Sequence, residues 1–187
     1  MKSFARKEKI KTRLLTFLTI ILLVGIDRFT KQLITAFLEL GDSITLIKIG
    51  GNNILSFKYV QNTGAAFSIL QGQRLFLIIV SGLLVIGVLI FLMSDKTKNK
   101  LLYAALILLA SGGMGNLADR AFYGYVIDFI YIEFINFAIF NFADICAVTG
   151  SFIAVFALFR EELKNKRENE NEKQPLKASS EASEADE

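Results

Sequence analysis

Residues 75–93 read Leu-Phe-Leu-Ile-Ile-Val-Ser-Gly-Leu-Leu-Val-Ile-Gly-Val-Leu-Ile-Phe-Leu-Met, a stretch without a single charge. A helix that crosses a bilayer needs about 20 mainly apolar residues, so this stretch alone argues for a membrane chain. Three more runs lie around it. One is Leu14 to Ile26, which continues through Asp27-Arg28-Phe29-Thr30-Lys31 into further apolar residues. The others are Leu101 to about Asn116 and Phe140 to Phe159, the last ending at Arg160-Glu161-Glu162. The first run follows a basic segment, Lys2 to Arg13, and so has the outline of a signal peptide. No small-residue cleavage pattern follows it, which predicts a retained helix. The reading is a mainly α membrane protein, a four-transmembrane-helix bundle with spans near 13–37, 74–93, 100–118 and 140–160.

Composition agrees, and it excludes whole classes of chemistry. Of the 187 residues 53% are hydrophobic and 17 are Phe, and mean hydropathy is +0.47 despite highly charged ends. There is no His, which excludes Ser-His-Asp and Cys-His nucleophilic sites and His-ligated metals. A single Cys, Cys146, excludes an intramolecular disulfide and a cysteine metal cluster.

Charge sets the orientation. The N-terminal arm carries Lys2, Arg6, Lys7, Lys9, Lys11 and Arg13. The short loop 94–100 carries Lys96, Lys98 and Lys100, and Arg160, Lys164, Lys166 and Arg167 follow the fourth span. Segments 39–73 and 120–139, on the other side, offer only Lys48, Lys58, Arg120 and the helix-end Arg74. The positive-inside rule then puts both termini in the cytoplasm.

The two outer segments read as a small extracytoplasmic β-sheet or hairpin region. Ser43–Ile49 and Ile54–Val60 are rich in β-branched and aromatic residues and flank Gly50-Gly51-Asn52-Asn53, a hairpin turn signal. Tyr125 to Phe134 is apolar on both alternate faces, with Asp128 the polar exception. Beyond residue 163 the chain turns to Lys, Glu, Asn, Ser and Ala, which predicts a four-span unit over 1–163 and a disordered cytoplasmic tail over 164–187.

A carboxylate is costly in a bilayer and is there a functional candidate by default. Asp27 and Lys31 stand one helical turn apart and can pair, which suits a structural role at a helix end. Asp119 and Arg120 close the third span after Ser111, Gly112, Gly113 and Gly115, residues suited to close helix approach, with Asn116 on the Arg120 face. Asp128 and Asp144 are 16 residues apart (144 − 128 = 16). That leaves room for a strand to run out and the chain to return. If the two meet, one holds a proton that the other has lost, the logic of an aspartic protease. The same spacing equally allows Asp144 to cap a helix and Asp128 to pair with Arg120. A proton or cation carrier would spread its charges across the bilayer depth, whereas these collect on one side. A non-enzymatic assembly or lipid-binding protein also remains open from spacing alone.

The motifs in order narrow the choice. Asp27-Arg28-Phe29-Thr30-Lys31, Asn62-Thr63-Gly64-Ala65-Ala66-Phe67, Gly115-Asn116-Leu117-Ala118-Asp119-Arg120, Val126-Ile127-Asp128-Phe129 and Phe140-Asn141-Phe142-Ala143-Asp144 follow one another along the chain. Together they resemble the lipoprotein signal peptidase (type II signal peptidase) family over roughly residues 12–160. The resemblance implies an aspartic endopeptidase with Asp128 and Asp144 as the catalytic pair. It implies that Asn62, Gly64, Asn116, Arg120 and Asn141 shape the site or hold substrate, with Asp27, Lys31 and Asp119 as structural support. It implies diacylglyceryl-modified prolipoproteins as substrates, cut just before the lipidated Cys. No metal, organic cofactor or nucleic-acid partner is implied, and the expectation is a monomer among membrane lipids in the bacterial cytoplasmic membrane.

Overall fold

The computed structural model describes residues 2–65, 69–94, 97 and 99–184, with side chains over 6–65, 69–94, 97 and 99–167. Ala66, Phe67, Lys96 and Lys98, singled out above, lie outside the described residues. The chain runs α1 (Lys2–Phe37), β1 (Ser43–Ile49), β2 (Asn52–Asn62), α2 (Arg74–Met93), α3 (Lys100–Phe122), β3 (Val126–Ile132), a 3-10 turn (Glu133–Ile135) and α4 (Phe142–Glu184).

Among the described residues, three helices are long and apolar enough to cross a membrane: α2, α3 and the Phe142–Arg167 part of α4. In α1, Asp27, Arg28 and Lys31 break the apolar run, so length without uncharged composition sets it apart. Three helices run past the bounds that the sequence predicts, α3 by four residues to Phe122. The basic arm continues α1 back to Lys2, and α4 runs on to Glu184. The Glu, Lys and Ala of this last segment are good helix formers, whereas its Asn, Ser and Pro175 are poorer ones.

Helix α3 is the central element, packed on α1, α2 and α4. Its approach to α4 is made by residues without bulk. A Cβ on Gly112 would stand 2.3 Å from the Ala143 carbonyl oxygen, and one on Gly150 2.7 Å from the Ala105 carbonyl oxygen. The small-residue stripe therefore serves the close approach its sequence suggests. Ile20, Leu92 and Ala110 form the core where α1, α2 and α3 meet.

The sheet has strand order β1-β2-β3, all antiparallel. Gly50 and Gly51, at φ +57° and +84°, join Ile49 to its partner Asn52. A two-residue turn with both φ values positive matches the strand twist and favours glycine. The sheet packs on the end of α1 through Ile34, Leu38, Tyr59, Ile127 and Phe129. At the other side of α2's first turn, Arg74 Nε and Nη2 donate to the Arg120 and Ala121 carbonyl oxygens at 2.8 Å each. This satisfies the open carbonyls at the end of α3. The last turn of α3, β3 and the start of α4 thus converge beside the end of β2.

Candidate active site

The local sequence explains how α4 begins. Asn141 Oδ1 accepts from the Asp144 backbone N–H at 2.9 Å, and Asp144 Oδ2 accepts from the Asn141 backbone N–H at 3.0 Å. This is a reciprocal capping box, with Asn141 as the cap and Asp144 three residues on. One oxygen of Asp144 is thus used in closing the box, with Asn141 rather than Asp144 as the cap. The other, Oδ1, accepts from Asn116 Nδ2 at 2.7 Å.

Asp128 reaches the same place from β3. It is buried, opposite Val60 on β2, with Asn62 two residues further along the same face of β2. Asn62 Nδ2 donates to Asp128 Oδ2 at 3.0 Å, and Asn141 Nδ2 donates to Oδ1 at 2.7 Å. Burial pushes the Asp128 carboxyl up to about 7, helped by the negative charge of Asp144. The amides of Asn62 and Asn141 and the charge of Lys31 act in the opposite direction without cancelling it.

Three asparagines thus address two carboxylates, and each has its orientation set by an unambiguous donor. The Gly64 backbone N–H donates to Asn62 Oδ1 at 2.9 Å, the Asp144 N–H takes Asn141 Oδ1, and Lys31 Nζ donates to Asn116 Oδ1 at 3.1 Å. In each case the oxygen is committed, so the NH2 group faces a carboxylate.

Lys31 links this network to a second, fully buried one. Its ammonium lies 2.8 Å from both Asp27 Oδ2 and Asp119 Oδ2, and all three side chains are all but inaccessible. Asp27 Oδ1 accepts from the Ala143 backbone N–H at 2.9 Å, tying α1 to the first turn of α4. Asp119 Oδ2 also accepts from the Ile127 N–H at 3.2 Å, and its Oδ1 takes Arg28. Two carboxylates against two cations leave the cluster neutral, the condition under which buried charges are tolerated. Arg28, stacked on Tyr123 at 5.1 Å, was not singled out by sequence reasoning although it stands inside the Asp27–Lys31 motif.

Arg120 does not pair with Asp128. Its Nη2 donates to the Gly64 carbonyl oxygen at 2.8 Å, and its Nε is buried with no partner among the described residues. Asp128, Asp144, Asn62, Asn116 and Arg120 line one cavity of about 180 Å³, walled by Val126, Phe140 and Val148. A second cavity of about 400 Å³ meets it at Asn62 and Asp128 along the 137–139 loop. Among the described residues no group of three or more His, Cys, Asp or Glu is placed to hold a metal. The ten residues picked out from sequence therefore fall into two contiguous clusters: Asn62, Gly64, Asn116, Arg120, Asp128, Asn141 and Asp144 around the cavity, and Asp27, Lys31 and Asp119 behind it.

A polar, cavity-forming carboxylate site at the end of apolar, membrane-length helices defines a membrane enzyme. Residues 19–160 match the family described as Signal peptidase (SPase) II, and the chain belongs to that family: it is a signal peptidase II-type peptidase. Among its relatives, the lipoprotein signal peptidase of Streptococcus thermophilus (strain CNRZ 1066) is 39% identical over 143 residues, covering 76% of this chain and 91% of that one. The lipoprotein signal peptidase of Streptococcus pneumoniae (strain ATCC BAA-255 / R6) is 37% identical over 153 residues, covering 82% and 97%. The fold is similar to a solved bacterial membrane enzyme determined by the in meso method at 2.3 Å resolution, with TM-score 0.72, 31% identity and coverage of 79% of this chain and 88% of that one. A second bacterial membrane enzyme, determined by the same method at 1.9 Å, gives TM-score 0.67 at 32% identity, covering 76% and 91%.

Proposed function

We propose that this chain is an aspartic endopeptidase that removes the signal peptide from diacylglyceryl-modified prolipoproteins, cutting on the N-terminal side of the lipidated Cys, with Asp128 and Asp144 as its catalytic pair. The observation that carries this reading is that the two carboxylates share one small cavity while Asp128 keeps its proton up to about pH 7. At neutral pH such a pair holds one proton between them.

The chemistry then balances as follows. The ionised partner, Asp144, takes a proton from water as the water oxygen attacks the scissile carbonyl carbon. Protonated Asp128 gives its proton to the carbonyl oxygen, producing a gem-diol. Collapse returns a proton to Asp128, breaks the C–N bond and delivers the other proton from Asp144 to the leaving amine of the Cys. Asn116, Asn141 and Asn62 position the carboxylates. Arg120, whose buried Nε has no partner among the described residues, holds a substrate carbonyl beside Gly64.

In this reading the peptidase unit is residues 1–163, a four-span monomer among membrane lipids, with α1 as the fourth span. The burial of Asp27 and Lys31 against α3 and α4 supports it, because charges hidden inside the bundle do not meet lipid. The basic residues at the opposite end from Asp128 support cytoplasmic termini and an active site near the extracytoplasmic face.

The decisive experiment offers purified protein a lipidated precursor and the same precursor without its diacylglyceryl group. Cleavage of the lipidated form only, abolished by Asp128→Asn and by Asp144→Asn in variants that still fold, is the expected result. Wild-type rates in either variant would overturn the paired-aspartate mechanism.

A further inference from the structure

At the end of the bundle away from the aspartates, α3 begins and the apolar stretch of α4 stops. Arg160 lies 16 residues beyond Asp144 (160 − 144 = 16) on α4, about 24 Å along the helix axis. A cavity of about 620 Å³ opens there. Asn99 shapes its floor: Oδ1 accepts from the Leu101 and Leu102 backbone N–H groups at 3.1 and 3.2 Å, and Nδ2 donates to Glu161 Oε2 at 2.9 Å. One side chain thus caps α3 and clamps it to α4.

The lining is two-sided. Leu101, Ala157 and Leu163 make an apolar wall, while Arg160, Lys164 and Arg167 stand on the rim. The three cations recur at i, i+4 and i+7, so they occupy one face of α4. Among the described residues that line it, the one carboxylate is Glu161, whose oxygen already takes the Asn99 amide; Lys164 is engaged elsewhere, so Arg160 and Arg167 carry the charge. The N-terminus of α3 adds partial positive charge on the same side.

We propose that this cavity is a binding site for the headgroup of an anionic phospholipid, with the phosphate on the Arg160 and Arg167 rim and the upper acyl chain along Leu101 and Leu163. Charge alone would suit any phosphate. The apolar wall, set where a membrane-length helix ends, favours a ligand that carries hydrocarbon as well as charge. The site stands on the placement of α3 and α4 in a bilayer and does not depend on the peptidase mechanism.

Native mass spectrometry of the full chain, released from detergent with added dioleoylphosphatidylglycerol or dioleoylphosphatidylcholine, tests it. Wild type is expected to retain the anionic lipid about tenfold more tightly than the zwitterionic one. The double change Arg160→Gln with Arg167→Gln is expected to remove that preference, with helix content by circular dichroism unchanged. Arg167→Gln alone, on an exposed turn, gives a smaller loss in the same direction. Lys7→Gln with Lys11→Gln, an equal loss of charge outside the cavity, leaves the preference within about twofold. Equal retention of both lipids by wild type would overturn the site. So would an equal loss in the Lys7 and Lys11 control, which means diffuse attraction, or full displacement of the lipid by millimolar inorganic phosphate.

Discussion

Lys31 Nζ donates to Asn116 Oδ1 at 3.1 Å, and this contact decides which end of the Asn116 amide faces Asp144. A buried ammonium of α1 thereby directs a donor of α3 onto a carboxylate of α4. Asn116→Asp keeps the acceptor for Lys31 and replaces the donor by a second negative oxygen. The change is expected to lower kcat about 100-fold, the usual scale for such supporting groups, with a smaller effect on KM. Rates compared at equal amounts of folded protein, checked by circular dichroism, separate this from a general loss of stability.

The pH dependence of the unmodified enzyme follows from Asp128. Its carboxyl is pushed up to about 7, so it is protonated below that pH and ionised above it. The proposed reaction needs one proton on the pair. Hence kcat/KM is expected to fall as pH rises through about 7. Stability has the matching sign. A native-state affinity for the proton above that of the unfolded chain means ionisation opposes folding, with no penalty below about pH 4 and the full penalty above about 7. Thermal unfolding in detergent across that window checks the second part, and rate profiles check the first.

The neutral cluster of Asp27, Lys31, Arg28 and Asp119 makes a more pointed prediction. Lys31→Met leaves two buried carboxylates with only Arg28 to balance them. Removing one member of a buried pair costs about 3–5 kcal/mol. Adding Asp27→Asn removes the orphaned charge, and the Asn amide oxygen can still accept from the Ala143 N–H. The double variant is therefore expected to be more stable than Lys31→Met alone, as measured by thermal unfolding or by folded yield in detergent. Additive losses would contradict a charge-balance role.

Much of this arrangement is legible along the chain, for reasons that differ by element. Gly50-Gly51 between β-branched runs announces its hairpin, because a turn with two positive φ angles is a local requirement. The runs 75–93 and 101–116 announce helices because lipid demands long uncharged stretches. The pairing of Asp27 with Lys31 is a matter of one helical turn. What is not local is not legible. Arg28 meets Asp119 from 91 residues away, and only the crossing of α1 and α3 brings them together. The direction of the Asn116 amide depends on Lys31, a donor supplied by α1. The Asn141-x-x-Asp144 spacing is a capping-box signal, and it identifies Asn141 rather than Asp144 as the cap.

Gly112 offers the sharpest link between packing and the site. A Cβ at this position would meet the Ala143 carbonyl oxygen at 2.3 Å and the Ala147 backbone nitrogen at 2.8 Å. Neither atom belongs to a side chain that can rotate away, so Gly112→Ala must push α3 and α4 apart. Overpacking of this kind costs about 1–3 kcal/mol. The separation also falls on the hydrogen bond between Asn116 on α3 and Asp144 on α4, one turn further along. Gly112→Ala is thus expected to lose activity out of proportion to stability, with kcat down at least tenfold in protein that remains folded at the assay temperature. At Gly113 the nearest obstacle is Val85 Cγ2, the end of a side chain on α2. Gly113→Ala should be absorbed by a rotation of that valine and leave the Asn116–Asp144 contact intact. If the two alanine variants lose activity equally, the α3–α4 spacing is not what holds the carboxylates in register.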